Sequence, residues 1–363
     1  MRSVRDIRLY ENIPILVRAA LNVPVKNGDV ASDYRLRRAA PTIRFLAERG
    51  AKVVLISHIG EQGTETLAPV ARALGNIISG VSFFPETIGE HARAAIRGLA
   101  PGQILVLENL RRNTGEQAND RAFARELAAL GDIFVEDCFD TCHRAHASIV
   151  GIPELLPSYA GFLLEDEMRE LSQALLPKHP ALAVIGGVKF STKEAVLTRL
   201  LAIYDHVFVG GALANSFLKA SGQKVGKSLV SHTNEDTIKK LLANPKLVLP
   251  IDSVIKNEMI LDHGPGTIAL LAGLAQKAKT ILWNGPLGNY ENGFNGATDA
   301  FAHAVADSDA HSVIGGGDTV AAIEGFGLLP RFSFVSTGGG AMLDFLAYGT
   351  LPGIEALNNH ASA

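Results

Sequence analysis

The sequence predicts an α/β protein with two Rossmann-like, doubly wound parallel-sheet domains joined by a helix hinge. Three observations support this fold class. The chain has 363 residues, which is too long for one ordinary domain. Short runs of β-branched residues alternate with segments of helical periodicity, and this alternation, the rhythm of a doubly wound domain, occurs twice along the chain. Basic and glycine-rich residues follow the predicted strands, at the edge where open parallel sheets bind ligands.

The first occurrence of the rhythm predicts an N-terminal domain over residues 1–160. Its predicted strands are 13–21, 52–57, 81–84, 104–107 and 132–135. Its predicted helices are 34–49, 67–74, 87–99 and 120–130. A long amphipathic helix at 161–175 follows, within a linking segment 161–176 that bridges the two domains.

The second occurrence predicts a C-terminal domain over residues 177–348. Its predicted strands are 181–185, 206–209, 246–251, 280–283, 312–314 and 332–335. Its predicted helices are 212–220, 234–243, 267–278, 296–306, 319–325 and 340–348. The tail 349–363 contains Pro352 and ends in small polar residues, so we expect it to be loosely held and to pack back near the N-terminal domain.

Composition excludes several classes of protein. A net charge of −3 argues against nucleic acid as the main partner. Two cysteines, Cys138 and Cys142, indicate a reducing compartment rather than a disulfide framework. No apolar run approaches the roughly 18 residues of a membrane helix, and the N-terminus has no apolar secretory core. We expect a cytoplasmic monomer that binds small molecules.

Residues 186–193 of the second half form a candidate anion site. Gly186 and Gly187 end a buried strand, and Lys189 and Lys193 lie four residues apart where a helix is expected to begin. Backbone N–H groups, the helix dipole and two ammonium groups could therefore converge on one anion. A strand–helix turn with two solvated lysines explains the same residues equally well when they are considered alone.

Glycine clusters end almost every predicted strand of the second half, which favours a nucleotide site over simple turns. The clusters are Gly186-Gly187, Gly210-Gly211, Gly285, Gly315-Gly316-Gly317 and Gly338-Gly339-Gly340. Asp318 and Thr319 open a helix, which suits a phosphate and its Mg²⁺, and Glu291 could accept hydrogen bonds from ribose hydroxyls. A Walker motif is absent, because the segment 222–228 has too few residues between its glycines.

The first half carries basic side chains at its strand ends. They are Arg18 and Asn22, His58, Arg111 and Arg112, and His143, Arg144 and His146, with Arg35 at the start of the first predicted helix. Guanidinium groups bind phosphate and carboxylate through paired hydrogen bonds. The set predicts a small phosphorylated acid as ligand, although any single arginine could instead form a surface ion pair.

Nine segments in order resemble the phosphoglycerate kinase family over nearly the whole chain. They are Leu21-Asn-Val-Pro24, Ala40-Pro-Thr-Ile43, Ser57-His-Ile-Gly60, Leu107-Glu-Asn-Leu-Arg111, His143-Arg-Ala-His-Ala-Ser148, Gly186-Gly-Val-Lys189, Trp283-Asn-Gly-Pro286, Gly315-Gly-Gly-Asp-Thr319 and Ser336-Thr-Gly-Gly-Gly-Ala341. The resemblance implies two lobes that close around a hinge, and transfer of a phosphoryl group between Mg-ATP and the carboxylate of 3-phosphoglycerate.

The resemblance also assigns roles by position. Arg35 and Lys189 match the residues that act on the transferring group. The implied acid-binding residues are Asn22, Arg35, His58, Arg111 and Arg144. The implied nucleotide-binding residues are Lys193, Gly187, Gly210, Gly211, Asn284, Glu291, Gly315, Gly316, Gly317, Asp318, Thr319 and Gly338, with Asp318 also the Mg²⁺ ligand.

The sequence departs from the resembled pattern at three acid-site positions. Ala20 replaces an aspartate that accepts the substrate's hydroxyl, Glu61 replaces a phosphate-binding arginine, and Asp140 replaces a glycine. Three hypotheses follow. The chain is an ordinary phosphoglycerate kinase in which Arg112 or Arg38 substitutes for the lost arginine, a kinase of a different small carboxylate, or a nucleotide-binding protein that is catalytically weak. The charged residues that remain for both ligands disfavour the third hypothesis, and we place the first ahead of the second.

Overall fold

The computed structural model describes residues 1–231 and 235–359. They divide into two compact units. The N-terminal unit contains Met1–Met168 and the chain from Thr350 onward, and the C-terminal unit contains Arg169–Gly349. Each unit contains one six-stranded sheet in which all neighbouring strands are parallel. The predicted fold class is confirmed.

The N-terminal sheet has the strand order β5-β6-β4-β1-β7-β8. The strands of this unit are β1 (Pro14–Ala19), β2 (Val25–Lys26), β3 (Asp29–Val30), β4 (Lys52–Ile56), β5 (Val81–Phe84), β6 (Ile104–Leu107), β7 (Ile133–Asp137) and β8 (Ser158–Ala160). The helices are α1 (Tyr34–Ala47), α2 (Ala68–Gly75), α3 (Glu90–Arg97), α4 (Thr114–Gln117), α5 (Arg121–Ala128) and α6 (Phe162–Ala174), the last of which crosses the unit boundary.

Both faces of this sheet are buried, which explains its continuous apolar strands. In β1, Ile15 and Val17 join one hydrophobic cluster, whereas Leu16 between them joins the cluster on the opposite face. Successive side chains of a strand point to opposite faces, so a strand covered on both sides must be apolar throughout. The helices supply the two covers, with Leu36 of α1 on one face and Leu127 of α5 on the other.

The C-terminal sheet has the order β11-β10-β9-β14-β15-β16. The strands of this unit are β9 (Ala181–Ile185), β10 (His206–Val209), β11 (Leu247–Val248), β12 (Ser253–Lys256), β13 (Met259–His263), β14 (Thr280–Asn284), β15 (His311–Gly315) and β16 (Phe334–Val335). The helices are α7 (Glu194–Ile203), α8 (Gly211–Ala220), α9 (Glu235–Leu242), α10 (Pro265–Lys277), α11 (Gly296–Ala306), α12 (Gly317–Gly325) and α13 (Gly340–Tyr348).

Two sequence predictions need correction, and a third falls partly outside the described residues. Residues 246–251 are strand only at Leu247–Val248, and the antiparallel hairpin β12–β13 that follows was not predicted. The tail is not loosely held up to residue 359, because a helix α14 (Pro352–Asn359) buries Ile354 and Leu357 in the N-terminal unit. The helix predicted at 234–243 begins at Glu235 among the described residues, and residue 234 lies outside them.

Each sheet has one point at which the strand order reverses. In the N-terminal sheet the chain passes from β1 to β4 on one side and later reaches β7 on the other side of β1. In the C-terminal sheet the same reversal separates β9 from β14. Such switch points open a crevice at the carboxyl ends of the strands, where ligands of open α/β sheets bind.

Candidate active site

Arg18 is the centre of the polar cluster at the N-terminal switch point. It lies in β1, is fully buried, and donates from Nε to Ser148 Oγ at 3.0 Å. Its Nη2 lies 2.9 Å from His58 Nδ1, and its Nη1 lies 3.2 Å from Cys138 Sγ. A buried cation must have such partners. Arg18 therefore holds Ser148, His58 and Cys138 in place and does not itself face a ligand.

His58 follows β4 and is held in its neutral form. Burial and the adjacent Arg18 guanidinium lower the pKa of His58 well below its ordinary value. Arginine can only donate, so His58 Nδ1 accepts from Arg18 and the ring proton is on Nε2. His58 can therefore offer one uncharged N–H donor to a ligand.

Asn22, Arg35 and Arg111 are tied to one another through Gly60 and the main chain. Arg35 Nη1 donates to the Asn22 carbonyl at 2.7 Å. The Gly60 N–H donates to Asn22 Oδ1 at 3.2 Å, and Arg111 Nη1 donates to the Gly60 carbonyl at 2.5 Å. Burial and nearby Arg18 and Arg144 lower the pKa of Arg111. Hydrogen bonds thus bring Asn22, Arg35 and Arg111 together. The charges of Arg35 and Arg111 also act on His58, and exposed Arg144 acts on Arg111, so all five predicted acid-binding residues belong to one cluster.

The three unusual acid-site residues have different surroundings. Ala20 is fully buried and Glu61 is exposed. Asp140 has a side chain only 7% exposed, and its Oδ2 lies 3.2 Å from Arg35 Nη1. Burial alone would raise the pKa of Asp140, but the nearby Arg35 guanidinium, the hydrogen bond from the Cys138 thiol and the Arg18 guanidinium bring it below its ordinary value. Asp140 is therefore an ionised carboxylate inside the basic cluster.

The two arginines considered as substitutes for a lost phosphate ligand are engaged with other carboxylates. Arg112 Nη1 lies 3.3 Å from Glu108 Oε2, whose side chain is 4% exposed. Arg38 Nη2 lies 3.6 Å from Asp166 Oδ2. Either arginine would have to leave an acidic partner to reach a ligand, so these contacts do not support the substitution hypothesis.

Glycine backbone, without side chains, lines the switch point of the C-terminal sheet. The Gly186 N–H donates to the Asn284 carbonyl at 2.8 Å, and the Gly187 N–H donates to the Pro286 carbonyl at 3.1 Å. A methyl group on Gly186 would lie 2.2 Å from the Pro286 carbonyl oxygen, and one on Gly285 would lie 2.6 Å from the Gly186 backbone. These glycines are required because two strand ends meet without space for side chains.

Lys193 reaches this switch point from the loop before α7. This helix begins at Glu194, and Lys193 is its N-cap residue. A methyl group on Gly187 would lie 3.1 Å from Lys193 Nζ, which places the ammonium group over the glycine backbone. Burial lowers the pKa of Lys193. Lys189, by contrast, is exposed in the same loop.

Thr319 fastens α12 to the neighbouring strand end. Its Oγ1 accepts the Gly285 N–H at 3.0 Å, and the residue is fully buried. Asp318, one residue earlier, is exposed on the first turn of α12. A methyl group on Gly317 would meet no atom within 4 Å, so this glycine leaves open space at the helix N-terminus.

A cleft of about 280 Å³ opens beside these strand ends within the C-terminal unit. Four predicted nucleotide-site residues line it: Gly187, Gly211, Glu291 and Asp318. The other predicted residues lie at or near adjoining strand ends but do not line it: Lys193, Gly210, Asn284, Gly315, Gly316, Gly317, Thr319 and Gly338. The volume is close to the lower limit for small-molecule pockets, about 300 Å³.

Sequence reasoning missed several residues of the cleft, above all those from the β12–β13 hairpin and α8. His263 Nε2 accepts the Gly211 N–H at 3.2 Å, and burial lowers the pKa of His263 to about 4. Asn215 of α8 lines the cleft and is 1% exposed. Recognition of the hairpin would have indicated His263, because it is the last residue of β13.

Comparison with known proteins agrees with this architecture. The family model described as phosphoglycerate kinase matches residues 4–348. The chain belongs to the phosphoglycerate kinase family. The phosphoglycerate kinase of Azorhizobium caulinodans is 44% identical over 378 residues, covering 94% of this chain and 96% of the relative. That of Xanthobacter autotrophicus is 43% identical, with 98% of each chain covered.

Two solved phosphoglycerate kinase structures match the whole fold. The Coxiella burnetii structure has a TM-score of 0.83 and 39% identity, and 99% of each chain is covered. The Pyrococcus horikoshii OT3 structure has a TM-score of 0.90 and 31% identity, and both chains are fully covered. Membership of the phosphoglycerate kinase family implies a phosphotransferase with a nucleotide substrate. Within the described ranges, no helix has the length and apolar character needed to cross a membrane.

Proposed function

We propose that the protein catalyses reversible phosphoryl transfer between Mg-ATP and the carboxylate of 3-phosphoglycerate, giving an acyl phosphate. The supporting observation is the contrast between the two switch points. One is lined by Arg35, Arg111 and Arg144, and the other by the backbones of Gly186, Gly187 and Gly285. Phosphoryl transfer depends chiefly on positioning and on neutralising charge, which these two surfaces suit.

On the acid side, the proposal assigns the substrate's charged groups to Arg35, Arg111 and Arg144. The Asn22 side chain, together with neutral His58 through its Nε2–H, would hold the acid in a fixed orientation. Arg35 would additionally stabilise charge on the transferring phosphoryl group. The main-chain ties between Arg35, Asn22 and Gly60 preorganise this arrangement.

On the nucleotide side, Lys193 and the N-terminus of α12 would hold the phosphates, and Glu291 the ribose. Asp318 would hold Mg²⁺, since an exposed carboxylate beside a phosphate site suits an ion that takes one or two carboxylates and the phosphates themselves. Bound Mg²⁺ would neutralise charge on the β- and γ-phosphates. Lys189 would follow the transferring group, with closure of the two domains around α6 excluding water.

Coupled turnover with 3-phosphoglycerate, ATP and Mg²⁺ tests the proposal. We expect ATP-dependent formation of the acyl phosphate, lost in Arg35→Met and retained in Arg37→Met, in which the substituted arginine is exposed on the same helix. Nucleotide binding without turnover on this acid would contradict the proposal.

A second candidate, a kinase of a different small carboxylate, is favoured by the Asp140–Arg35 contact. Turnover on another carboxylic acid, with none on 3-phosphoglycerate, would select it. Binding of nucleotide without turnover on any acid would leave the catalytically weak alternative.

A further inference from the structure

Asp140 and Ala20 follow two neighbouring strands of the N-terminal sheet at its switch point. Strands β1 and β7 are parallel neighbours, with Arg18 opposite Glu136 and Ala19 opposite Asp137. The next residues, Ala20 and Cys138, therefore leave the sheet side by side. Ala20 is fully buried and offers only a methyl group. The 3₁₀ turn Phe139–Thr141 comes directly after Cys138 and carries the Asp140 carboxylate back to this edge of the sheet.

The Asp140 carboxylate is held on both oxygens. Oδ2 lies 3.2 Å from Arg35 Nη1, and Oδ1 accepts the Cys138 thiol at 2.8 Å. The Thr141 hydroxyl also lies 3.5 Å from Oδ1. Because the two carboxylate oxygens have four acceptor positions in all, these three contacts leave capacity for one more donor. The 7% exposure of the side chain shows that only a group inside the cluster could provide it.

The contact with Asp140 also constrains Arg35. The same Nη1 atom donates to the Asn22 carbonyl at 2.7 Å and approaches Asp140 Oδ2. Two acceptors from different segments, one before α1 and one after β7, fix the plane of the guanidinium group. Loss of Asp140 would remove one of these two acceptors and would widen the range of orientations open to the Arg35 guanidinium group.

We infer that Asp140 is a positioning and specificity-determining residue: it orients Arg35 and accepts a hydrogen bond from an uncharged hydroxyl next to the acceptor's carboxylate. It would supply, from the loop after β7, the carboxylate that Ala20 does not supply after β1. The inference rests on the proposed function, whose acceptor carries a hydroxyl group next to its carboxylate.

The charges of the cluster favour a hydroxyl over other donors. Arg35, Arg111 and Arg144 outnumber the nearby carboxylate of Asp140, so the cluster attracts an anionic molecule rather than an ammonium group. A second anionic oxygen would be repelled by the ionised Asp140 carboxylate. A neutral O–H group satisfies both conditions.

The test compares Asp140→Gly, Asp140→Asn, Ala20→Asp and the double variant Ala20→Asp/Asp140→Gly in the full chain. The control is Asp29→Asn, at an exposed aspartate of the same unit. The parameters kcat and KM are measured with 3-phosphoglycerate and with its analogue lacking the 2-hydroxyl group. This analogue is 3-phosphopropionate, the phosphate ester of 3-hydroxypropionate. Thermal unfolding checks that each variant is folded.

We expect Asp140→Gly to lower kcat/KM for 3-phosphoglycerate about 10- to 150-fold, the effect of losing a hydrogen bond to a charged group. The loss should be much smaller for 3-phosphopropionate, so discrimination between the two acids should collapse. Asp140→Asn should lie between wild type and Asp140→Gly. The double variant should recover most of the loss, because it restores one carboxylate at the same edge of the sheet.

Two results would overturn the inference. Asp140→Gly could increase kcat/KM, which would mean that Asp140 only competes with the acid for Arg35. It could also lower turnover of both acids equally, which would indicate a structural role. If wild type does not turn over 3-phosphoglycerate, the proposed function fails instead. In that case the Kd of each acid is measured by calorimetry for wild type and for Asp140→Gly. A loss of affinity confined to 3-phosphoglycerate supports the role of Asp140, and an equal loss for both acids overturns it.

Discussion

Replacement of Lys193 by methionine tests the nucleotide site most directly. The ammonium group lies over the Gly187 backbone, and burial lowers the pKa of Lys193 without a compensating anion. A phosphate placed there would form a charge-assisted hydrogen bond worth about 1.5–3 kcal/mol. We therefore expect Lys193→Met to raise the Kd for ATP roughly 10- to 150-fold while leaving binding of 3-phosphoglycerate unchanged.

The same substitution should remove a pH dependence. ATP binding favours the charged form of Lys193, whose pKa in the free protein is below the ordinary lysine value. ATP affinity should therefore fall as the pH rises through that lowered pKa, and binding in this range should take up protons.

Isothermal titration calorimetry with ATP, in two buffers of different ionisation enthalpy, measures both affinity and proton uptake. Lys240→Met, at an exposed lysine of α9, is the matched control and should behave as wild type. Equal ATP affinity in Lys193→Met and wild type would refute the placement of phosphate beside Lys193.

Three further predictions concern stability, measured by urea or thermal unfolding of the full chain. Thr319→Val should lower the free energy of unfolding by about 1–3 kcal/mol because the buried Gly285 N–H loses its acceptor, whereas Thr319→Ser should retain it. Arg18→Met should cost about 3–5 kcal/mol through the loss of a buried network, whereas exposed Arg37→Met should cost far less; equal effects would contradict this. Burial raises the pKa of Asp137 from 3.8 to about 7, so between about pH 4 and 7 the folded protein keeps a proton that the unfolded chain has lost. The contribution of Asp137 to the free energy of unfolding should therefore fall as the pH rises through this range, by at most about 1.4 kcal/mol per pH unit. Asp137→Asn keeps an oxygen for the Leu163 and Leu164 N–H groups and should flatten this dependence; an unchanged slope would show that Asp137 does not titrate there.

Local patterns in the sequence were sufficient for most of the fold. Strands such as Ala181–Ile185 and His206–Val209 have the predicted bounds, because a strand buried on both faces must be apolar throughout. Helices such as Gly296–Ala306 were equally clear from their periodicity. The arginines and glycines after the strands also indicated two ligand-binding edges, since the carboxyl ends of parallel strands share one edge of a sheet.

The hairpin β12–β13 shows where local patterns fail. Its turn residues Asn257 and Glu258 both have positive φ angles, 52° and 61°. That geometry is usually signalled by Asn-Gly, so glutamate at the second position concealed the turn. His263, at the end of the hairpin, was missed with it. Helix α14 was missed for a related reason, because its buried side chains gain their contacts from a distant part of the chain.

The sequence by itself determined which residue types lie at each sheet edge, because strand periodicity is a local property. Only the tertiary structure decided their partners. It showed that Arg112 and Arg38 are paired with acids, that the Thr319 hydroxyl holds Gly285, and that Asp140 faces Arg35. These contacts join segments far apart in the chain, and strand order together with side-chain burial establishes them. Neither the strand order nor the burial of a side chain can be inferred from single residues.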